Sequence, residues 1–186
     1  MQAPERFETS RLVLRKPGPA DAEAIFVRYA SDEQVTTYLA WPRHESIEQT
    51  RAFLEFSEAE WKRWPAGPYL IESHTGHGLL GSTGLAFDSP SIAATGYVLA
   101  RDAWGRGYAT EALRAMMGVA RGVGVLQLYA HCHPDHSLSA RVLEKCGFQL
   151  ESRREESIVF PNLNSGSKAG CQRWRWDAPM PEGSGG

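Results

Sequence analysis

The sequence is poor in cysteine and has no long apolar run. Its three cysteines, Cys132, Cys146 and Cys171, are odd in number and form no Cys-x-x-Cys pair, which argues against a disulfide framework and favours reduced thiols in a cytoplasmic protein. No run reaches the roughly 18 apolar residues that a transmembrane helix needs. The polar N-terminus, with Glu5 and Glu8, is unlike a signal peptide. We therefore expect a cytoplasmic protein with no membrane partner.

The sequence also has no large excess of charge of either sign. The chain has 20 basic and 22 acidic residues, a net charge of −2, and no basic stripe of the kind that binds nucleic acid. What is present, 42% hydrophobic and 23% charged residues over 186 positions, is typical of one globular domain. We predict a single domain over residues 1–178 and a flexible, glycine-rich tail over residues 179–186.

Short alternating or apolar runs, many of them bounded by Gly, Pro or Ser, predict about seven strands. Where glycine-rich turns separate two of these runs, the pattern indicates a hairpin. The predicted strands are Arg11–Arg15, Tyr69–Ser73, Leu79–Phe87, Thr95–Ala100, Val125–Ala130, Phe148–Ser157 and Gln172–Trp176.

Apolar residues at helical spacing predict about four helices. The first is centred on Ile25, and Ser46 with Gln49 forms a capping box at the start of the second. The fourth covers residues 138–146 and is ended by Gly147. The third has the clearest apolar stripe, made of Ala109, Ala112, Leu113, Met116, Met117 and Ala120. The chain contains both strand–helix–strand units and antiparallel hairpins. The fold class is therefore α/β in the broad sense, a mixed α+β arrangement with a mixed sheet.

A glycine turn between the fourth predicted strand and the third helix has the layout of an anion site. The first turn of a helix presents backbone N–H groups without intrahelical partners, and the helix dipole adds positive charge there. Gly105 and Gly107 let an anion approach the backbone, and Arg106 adds a full charge. The spacing fits neither the dinucleotide G-x-G-x-x-G pattern nor the P-loop. The residues alone are equally compatible with a tight connection that binds nothing.

The run Trp104-Gly105-Arg106-Gly107-Tyr108-Ala109-Thr110-Glu111-Ala112 resembles the acyl-CoA signature of the GNAT acyltransferases. It is most similar to the RimJ/RimL-like branch, whose members acetylate protein N-termini and some small amines. Three further segments resemble that branch in the expected order, namely Glu8–Arg15, Gly81–Leu85 and Ser139–Phe148. The resemblance implies a GNAT fold, with helices flanking a central sheet that is splayed between its fourth and fifth strands.

The resemblance also implies that acetyl-CoA is the acyl donor. Its pyrophosphate is expected on the backbone of the glycine turn, and its pantetheine arm beside the fourth strand, where an amide near Val98 polarises the thioester carbonyl. The residues expected to bind the cofactor are Tyr97, Val98, Leu99, Trp104, Gly105, Arg106, Gly107, Tyr108, Ala109, Thr110, His136, Ser139 and Arg141.

In such a family an amine attacks the thioester directly in a ternary complex. Ser139 matches the serine of the family's Asn-x-x-Ser motif and is the candidate for hydrogen bonding the CoA sulfur, while His136 stands at the asparagine position. Relatives often have an acidic residue where this chain has Ala94, so the general base must lie elsewhere. Glu72 and His131 are the substitutes that chain position suggests.

Two further groups of residues concern the acceptor and metals. Tyr38 and Trp41 lie in the loop between the first two helices, which overhangs the acceptor site in the family, and are candidate substrate-binding residues. The segment Asn162–Ser167 is a candidate border of the same site. The run His131–His136 is rich in metal-ligand types but has no second ligand group elsewhere, so we expect no metal.

We predict an acetyl-CoA-dependent N-acetyltransferase that acts on a primary amine. The first hypothesis for the acceptor is the α-amine of a protein or peptide N-terminus, by analogy with the branch. The alternatives are a small-molecule amine, such as an antibiotic, a polyamine or an amino-acid metabolite, and a non-catalytic domain that senses acyl-CoA. Both a monomer and a homodimer are compatible with the sequence.

Overall fold

A computed structural model describes residues 1–76, 78–155, 158–163 and 170–179. Residues 180–186 of the predicted tail and residues 164–167 of the predicted loop lie outside the described residues. No helix within the described ranges is long and apolar enough to cross a membrane.

A mixed sheet of eight strands forms the centre of the fold, in the order β1-β2-β3-β4-β5-β6-β8-β7. Neighbouring strands are antiparallel except β5 and β6, which are parallel. The strands are β1 (Arg6–Glu8), β2 (Leu12–Arg15), β3 (Pro68–Ser73), β4 (Leu79–Ser89), β5 (Ile92–Leu99), β6 (Gln127–Cys132), β7 (Gln149–Glu155) and β8 (Cys171–Asp177).

The parallel pair in the middle of the sheet opens into a gap. β5 pairs with β6 only over Ile92–Ala94. Past Ala94, β5 runs on to Leu99 and β6 to Cys132, and no pairing joins these described residues of the two strands. The predicted splay between the fourth and fifth strands is therefore confirmed, and it leaves backbone amides of β5 without a partner strand on that side.

Within the described ranges, five helices flank the sheet, and the core is divided between its two faces. On β3, Leu70 belongs to one buried cluster and its neighbours Tyr69 and Ile71 to the other, because successive side chains of a strand point to opposite faces. The predicted stripe of α4 lies in the larger cluster, where Leu113 and Met116 are fully buried. The helices are α1 (Ala22–Ile25), α2 (Glu33–Thr36), α3 (Ile47–Arg63), α4 (Tyr108–Gly122) and α5 (Ser137–Lys145).

The structure differs from the sequence prediction in three elements. β1 is an additional short strand, held because Phe7 packs edge-on against Tyr69 with ring centroids 5.4 Å apart; three residues are too few to show a period. The first predicted helix, centred on Ile25, is broken into a 3-10 turn, α1 and a π-helical turn over Phe26–Ala30, and the short α2 follows in the predicted loop. β5 begins at Ile92 rather than Thr95. Ala93 and Ala94 have low strand propensity, so the sequence does not indicate this earlier start.

Two local predictions concern helix ends. Gln49 Oε1 accepts hydrogen bonds from the backbone N–H groups of Glu45 (2.6 Å) and Ser46 (3.3 Å), which closes the start of α3 as the capping-box pattern predicts. Gly147 follows α5 with a φ of 82°, the left-handed conformation expected of a helix-ending glycine. Both predictions are confirmed.

Candidate active site

Two cavities meet at the gap between β5 and β6. The donor cavity, of about 340 Å³, is lined by the end of β5, the glycine turn, the first turn of α4 and one side of α5. The acceptor cavity, of about 330 Å³, is lined by β4, β5, β6 and the loop of residues 38–41. Leu39, Tyr97, Val98, His136 and Ser139 line both cavities. A group bound in one cavity therefore reaches a group bound in the other at these five residues.

The glycine turn has a backbone that only glycine adopts readily. Gly105 and Gly107 have φ values of 70° and 78°, in the left-handed region where a Cβ is unfavourable. Gly107 is the residue before α4 begins, and the Trp104 indole N–H donates to the Leu99 carbonyl at 2.7 Å, which ties the turn to β5. The turn thus presents the positive end of a fifteen-residue helix to the donor cavity without side chains in the way.

Glu111 fastens this turn to the N-terminal segment. Its carboxylate accepts hydrogen bonds from Thr9 Oγ1 (2.6 Å), Ser10 Oγ (3.0 Å), and the backbone N (2.9 Å) and Nε (2.6 Å) of Arg11. Arg11 Nη1 then donates to the Arg106 carbonyl at 2.8 Å. Burial raises the pKa of Glu111, but the hydrogen bonds from Thr9 and Arg11 outweigh it and hold that pKa below its usual range. Two segments that resemble the family in sequence are therefore one hydrogen-bonded unit in the structure.

Replacing Glu111 with glutamine should raise the KM for acetyl-CoA about tenfold, since a hydrogen bond to a charged group contributes about 1.5–3 kcal/mol and the glycine turn would lose its anchor. Because the pKa of Glu111 is lowered by folding, its stabilising effect is present above the ordinary carboxyl pKa and disappears as the pH falls through the folded value. Melting temperatures of wild type and variant should therefore differ near neutral pH and converge once the pH has fallen below the folded pKa of Glu111. A gap of equal size across that range would contradict this role, and Glu55→Gln, at an exposed position of α3, is the matched control.

Ser139 and Tyr97 form a hydroxyl pair at the junction of the cavities. The two hydroxyl oxygens are 2.9 Å apart, and the Tyr97 hydroxyl also lies 3.2 Å from the Ser139 carbonyl. Burial raises the pKa of Tyr97 well above its usual range, so its O–H stays protonated. This O–H donates to the Ser139 carbonyl, and either hydroxyl can be the donor in the 2.9 Å contact. When the Tyr97 O–H donates to Ser139 Oγ instead, the Ser139 proton can point at a third group, such as a sulfur atom in the donor cavity.

Three aromatic rings stack beside this pair. Tyr38 lies over His133 and His136, with ring centroids 5.0 and 4.9 Å apart. Burial, and then the proximity of His133, lower the pKa of His136, so its ring is neutral at neutral pH and can accept a proton. His133 is buried and its Nδ1 accepts from the Asp135 backbone N–H at 3.1 Å, which places its own proton on Nε2. No group of three metal-ligating side chains occurs in the described part of the chain.

The predicted site residues fall into three places. Every residue predicted to bind the cofactor lines the donor cavity except Arg106, and Lys145, one turn after Arg141, joins them. Tyr38, Trp41 and His131 line the acceptor cavity. Glu72 is not among the residues that line either cavity. Its Oε1 accepts hydrogen bonds from Arg15 Nε and Nη2 at 3.0 and 2.7 Å, which gives it a partner away from the junction.

Asn162, the first residue of the segment predicted to border the acceptor site, holds the wall of the acceptor cavity through contacts that the sequence did not indicate. Asn162 Nδ2 donates to the carbonyls of Thr36 (2.8 Å) and Trp41 (2.9 Å), and its Oδ1 accepts from the Arg43 backbone N–H (2.8 Å). A single amide thus fixes both ends of the loop that carries Tyr38 and Trp41. Asn162 lies more than a hundred residues further along the chain, so no local pattern could have revealed the contact.

The donor cavity fits an acyl-CoA. A helix start with two bare glycines suits a pyrophosphate, Arg141 and Lys145 supply cations along one side of α5, and the unpaired amides of β5 suit an extended amide-containing arm. The cavity therefore offers backbone donors to the pyrophosphate, positive charge along one side, and an unpaired strand edge to the extended arm of the ligand.

Comparison with known proteins agrees with this geometry. The sequence model of the family described as "Acetyltransferase (GNAT) domain" matches residues 11–149. A Bacillus subtilis protein described as "Uncharacterized N-acetyltransferase YoaA" is 31% identical over 148 residues, covering 78% of this chain and 83% of that protein. The chain therefore belongs to the GNAT acetyltransferase family, and it is an N-acetyltransferase of that family.

Solved structures show the same fold. A structure of RimL, described as a ribosomal L7/L12 alpha-N-protein acetyltransferase in complex with coenzyme A, superposes with a TM-score of 0.81 at 22% identity, covering 93% of this chain and 98% of that one. The spermidine N-acetyltransferase of Vibrio cholerae, in complex with CoA and spermine, gives 0.76 at 17% identity, covering 91% and 96%. Both neighbours bind CoA, which is consistent with acetyl-CoA as the donor substrate.

Proposed function

We propose that this chain transfers an acetyl group from acetyl-CoA to the α-amine of a protein or peptide N-terminus in the cytoplasm. The observation that carries the proposal is the chemistry of the acceptor cavity. Its lining, among the described residues, contains no aspartate or glutamate, and its titratable groups there are tyrosine, histidine and cysteine. The cavity therefore offers weak bases and no fixed negative charge.

Such a cavity suits an α-amine better than an alkyl amine. An α-amine has a pKa of about 7.7–8.0 and an alkyl amine one of about 10.4, so at about pH 7.5 roughly a quarter of the former and about 0.1% of the latter is uncharged. A neutral histidine can deprotonate the first group, whereas a polyamine also needs carboxylates to pair its remaining charges. Of the two CoA-binding neighbours, the α-amine enzyme is thus the better guide to the acceptor.

The residues at the junction supply the remaining chemistry. We assign His136, which lines both cavities, as the group that takes one proton from the ammonium form of the acceptor before the amine attacks. The amine nitrogen bonds to the thioester carbonyl carbon, and the backbone amide near Val98 stabilises the oxyanion. The carbon–sulfur bond then breaks, and a second proton from the nitrogen passes to the departing thiolate. The Ser139 hydroxyl, oriented by Tyr97, hydrogen-bonds the departing thiolate.

Replacing His136 with glutamine should lower kcat/KM about a hundredfold near neutral pH, which is the usual range for loss of a general base. The loss should shrink towards about pH 9, because the α-amine then deprotonates in solution and no longer needs a base. A pH–rate profile of wild type and variant measures this. His131→Gln, in the same cavity but not at the junction, is the control and should give a smaller loss. A loss of equal size at every pH would show that His136 only shapes the site.

The proposed function is tested by an acceptor screen with acetyl-CoA. CoA release and product mass would be measured for N-terminal peptides, spermidine and primary-amine drugs under the same conditions. The expected result is acetylation of the peptides at the α-amine, with little turnover of spermidine. Turnover of spermidine or of drugs without any peptide product would overturn the proposal.

A further inference from the structure

The floor of the acceptor cavity is a patch of sheet whose side chains are small. Three cross-strand pairs of β4 and β5 lie on one face, because alternate residues of a strand share a face. All six residues line the acceptor cavity. The pairs are Ser82 with Val98, Gly84 with Gly96, and Ala86 with Ala94.

The protein leaves one part of this floor open. Ala86 and Gly96 are exposed, whereas Leu85 and Thr95, which point to the opposite face, are buried. A Cβ atom built on Gly96 would have no heavy atom within 4 Å, whereas one built on Gly84 would lie 2.7 Å from the Pro68 backbone. The floor therefore has room around Gly96 and Ala86 for a group that the described residues do not supply.

Aromatic rings stand around the floor. Tyr38, Trp41, Phe53 and Phe160 all line the acceptor cavity. Three of these rings have ring partners in the protein, since Tyr38 stacks on two histidines, Trp41 lies 5.3 Å from the His44 ring, and Phe160 packs edge-on against His133. A flat floor between preformed aromatic walls favours a flat apolar group, which gains both burial and ring contacts.

The lack of charged residues in the lining also favours an apolar group. The described residues of the lining include no Asp, Glu, Lys or Arg. A charged side group placed there would lose its hydration without a partner of opposite charge, which is unfavourable. We infer that the acceptor carries an apolar, preferably aromatic, side group next to its reacting amine, so that the preferred N-termini begin with residues such as phenylalanine. This inference rests on the proposed function and specifies which α-amines the same cavity takes.

The test compares peptides that differ only in their first residue. With wild-type protein, kcat/KM should be highest for phenylalanine, lower by about tenfold or more for serine, and lowest for aspartate and lysine, as expected when a large apolar group is buried. If no peptide is acetylated at its α-amine, the proposed function fails. If all peptides are acetylated equally well, the proposed function stands and this inference is overturned.

A variant of the floor gives a second, independent measure. Gly96→Leu fills the space above the floor without a positive φ or a clash, so it should reduce the preference for phenylalanine over serine at least about tenfold and leave acetyl-CoA affinity unchanged. Ala86→Leu, on the neighbouring strand, makes the same change if the first variant folds poorly. Gly118→Leu is the control, at an exposed glycine of α4 that also meets no atom within 4 Å. An unchanged preference in folded Gly96→Leu and Ala86→Leu proteins would overturn the inference.

Discussion

Replacing Gly107 with valine is expected to raise the KM for acetyl-CoA by about a hundredfold or more. The native φ of 78° is unfavourable for any residue with a Cβ and most of all for a β-branched one. The new Cβ would lie 3.4 Å from Arg11 Nη2, and the valine methyl groups would stand where a phosphate must approach the backbone. A loss of about 2.7 kcal/mol in phosphate binding corresponds to that hundredfold change.

The control for Gly107→Val is Gly124→Val. Gly124 lies just past the other end of α4, has a φ of 91° and has no heavy atom within 4 Å of a built Cβ. Both variants share the backbone strain, so both should lower the melting temperature, but only Gly107→Val should move the KM. A folded Gly107→Val protein with wild-type KM would show that the phosphates of CoA bind elsewhere.

Replacing Ser139 with alanine is expected to lower kcat about a hundredfold or more, while the KM for acetyl-CoA changes little. The hydroxyl lies at the junction of both cavities, where charge develops on sulfur as the thioester breaks, and losing a hydrogen bond made mainly in the transition state lowers kcat rather than binding. Tyr97→Phe, which removes the hydroxyl that contacts both Ser139 Oγ and the Ser139 carbonyl, should give a smaller loss of the same kind.

Ser137→Ala is the matched control for Ser139→Ala. Ser137 is an exposed residue at the start of the same helix and lines neither cavity. Steady-state kinetics of the three variants separate kcat from KM. A wild-type kcat in Ser139→Ala would remove Ser139 from the chemistry and leave the thiolate to solvent.

The donor side of the site could be predicted from the sequence because it is local. The glycine turn, the first turn of α4 and the end of β5 follow one another within residues 97–110, and their geometry depends on glycine conformation and a helix start. The stripe of α4, centred on Leu113 and Met116, is likewise a short-range pattern. The structure reproduces the elements that short-range patterns predict, apart from the break in the first helix and the extra strand β1.

The acceptor side could not be predicted in the same way because distant segments assemble it. Its wall depends on Asn162 reaching Thr36 and Trp41, and its floor on the register between β4 and β5. Glu72 shows the same limit, since its chain position suggested a base while Arg15 holds its carboxylate by two hydrogen bonds. Such contacts between distant residues form only in the folded protein, so the sequence of any one segment does not indicate them.

The account of the acceptor is tested most directly by one peptide that carries both kinds of amine, a phenylalanine N-terminus and a single lysine further along. After reaction with acetyl-CoA, tandem mass spectrometry locates the acetyl group. The predicted result is acetylation of the α-amine, with the lysine ε-amine left free. Acetylation of the lysine in preference to the α-amine would contradict the account.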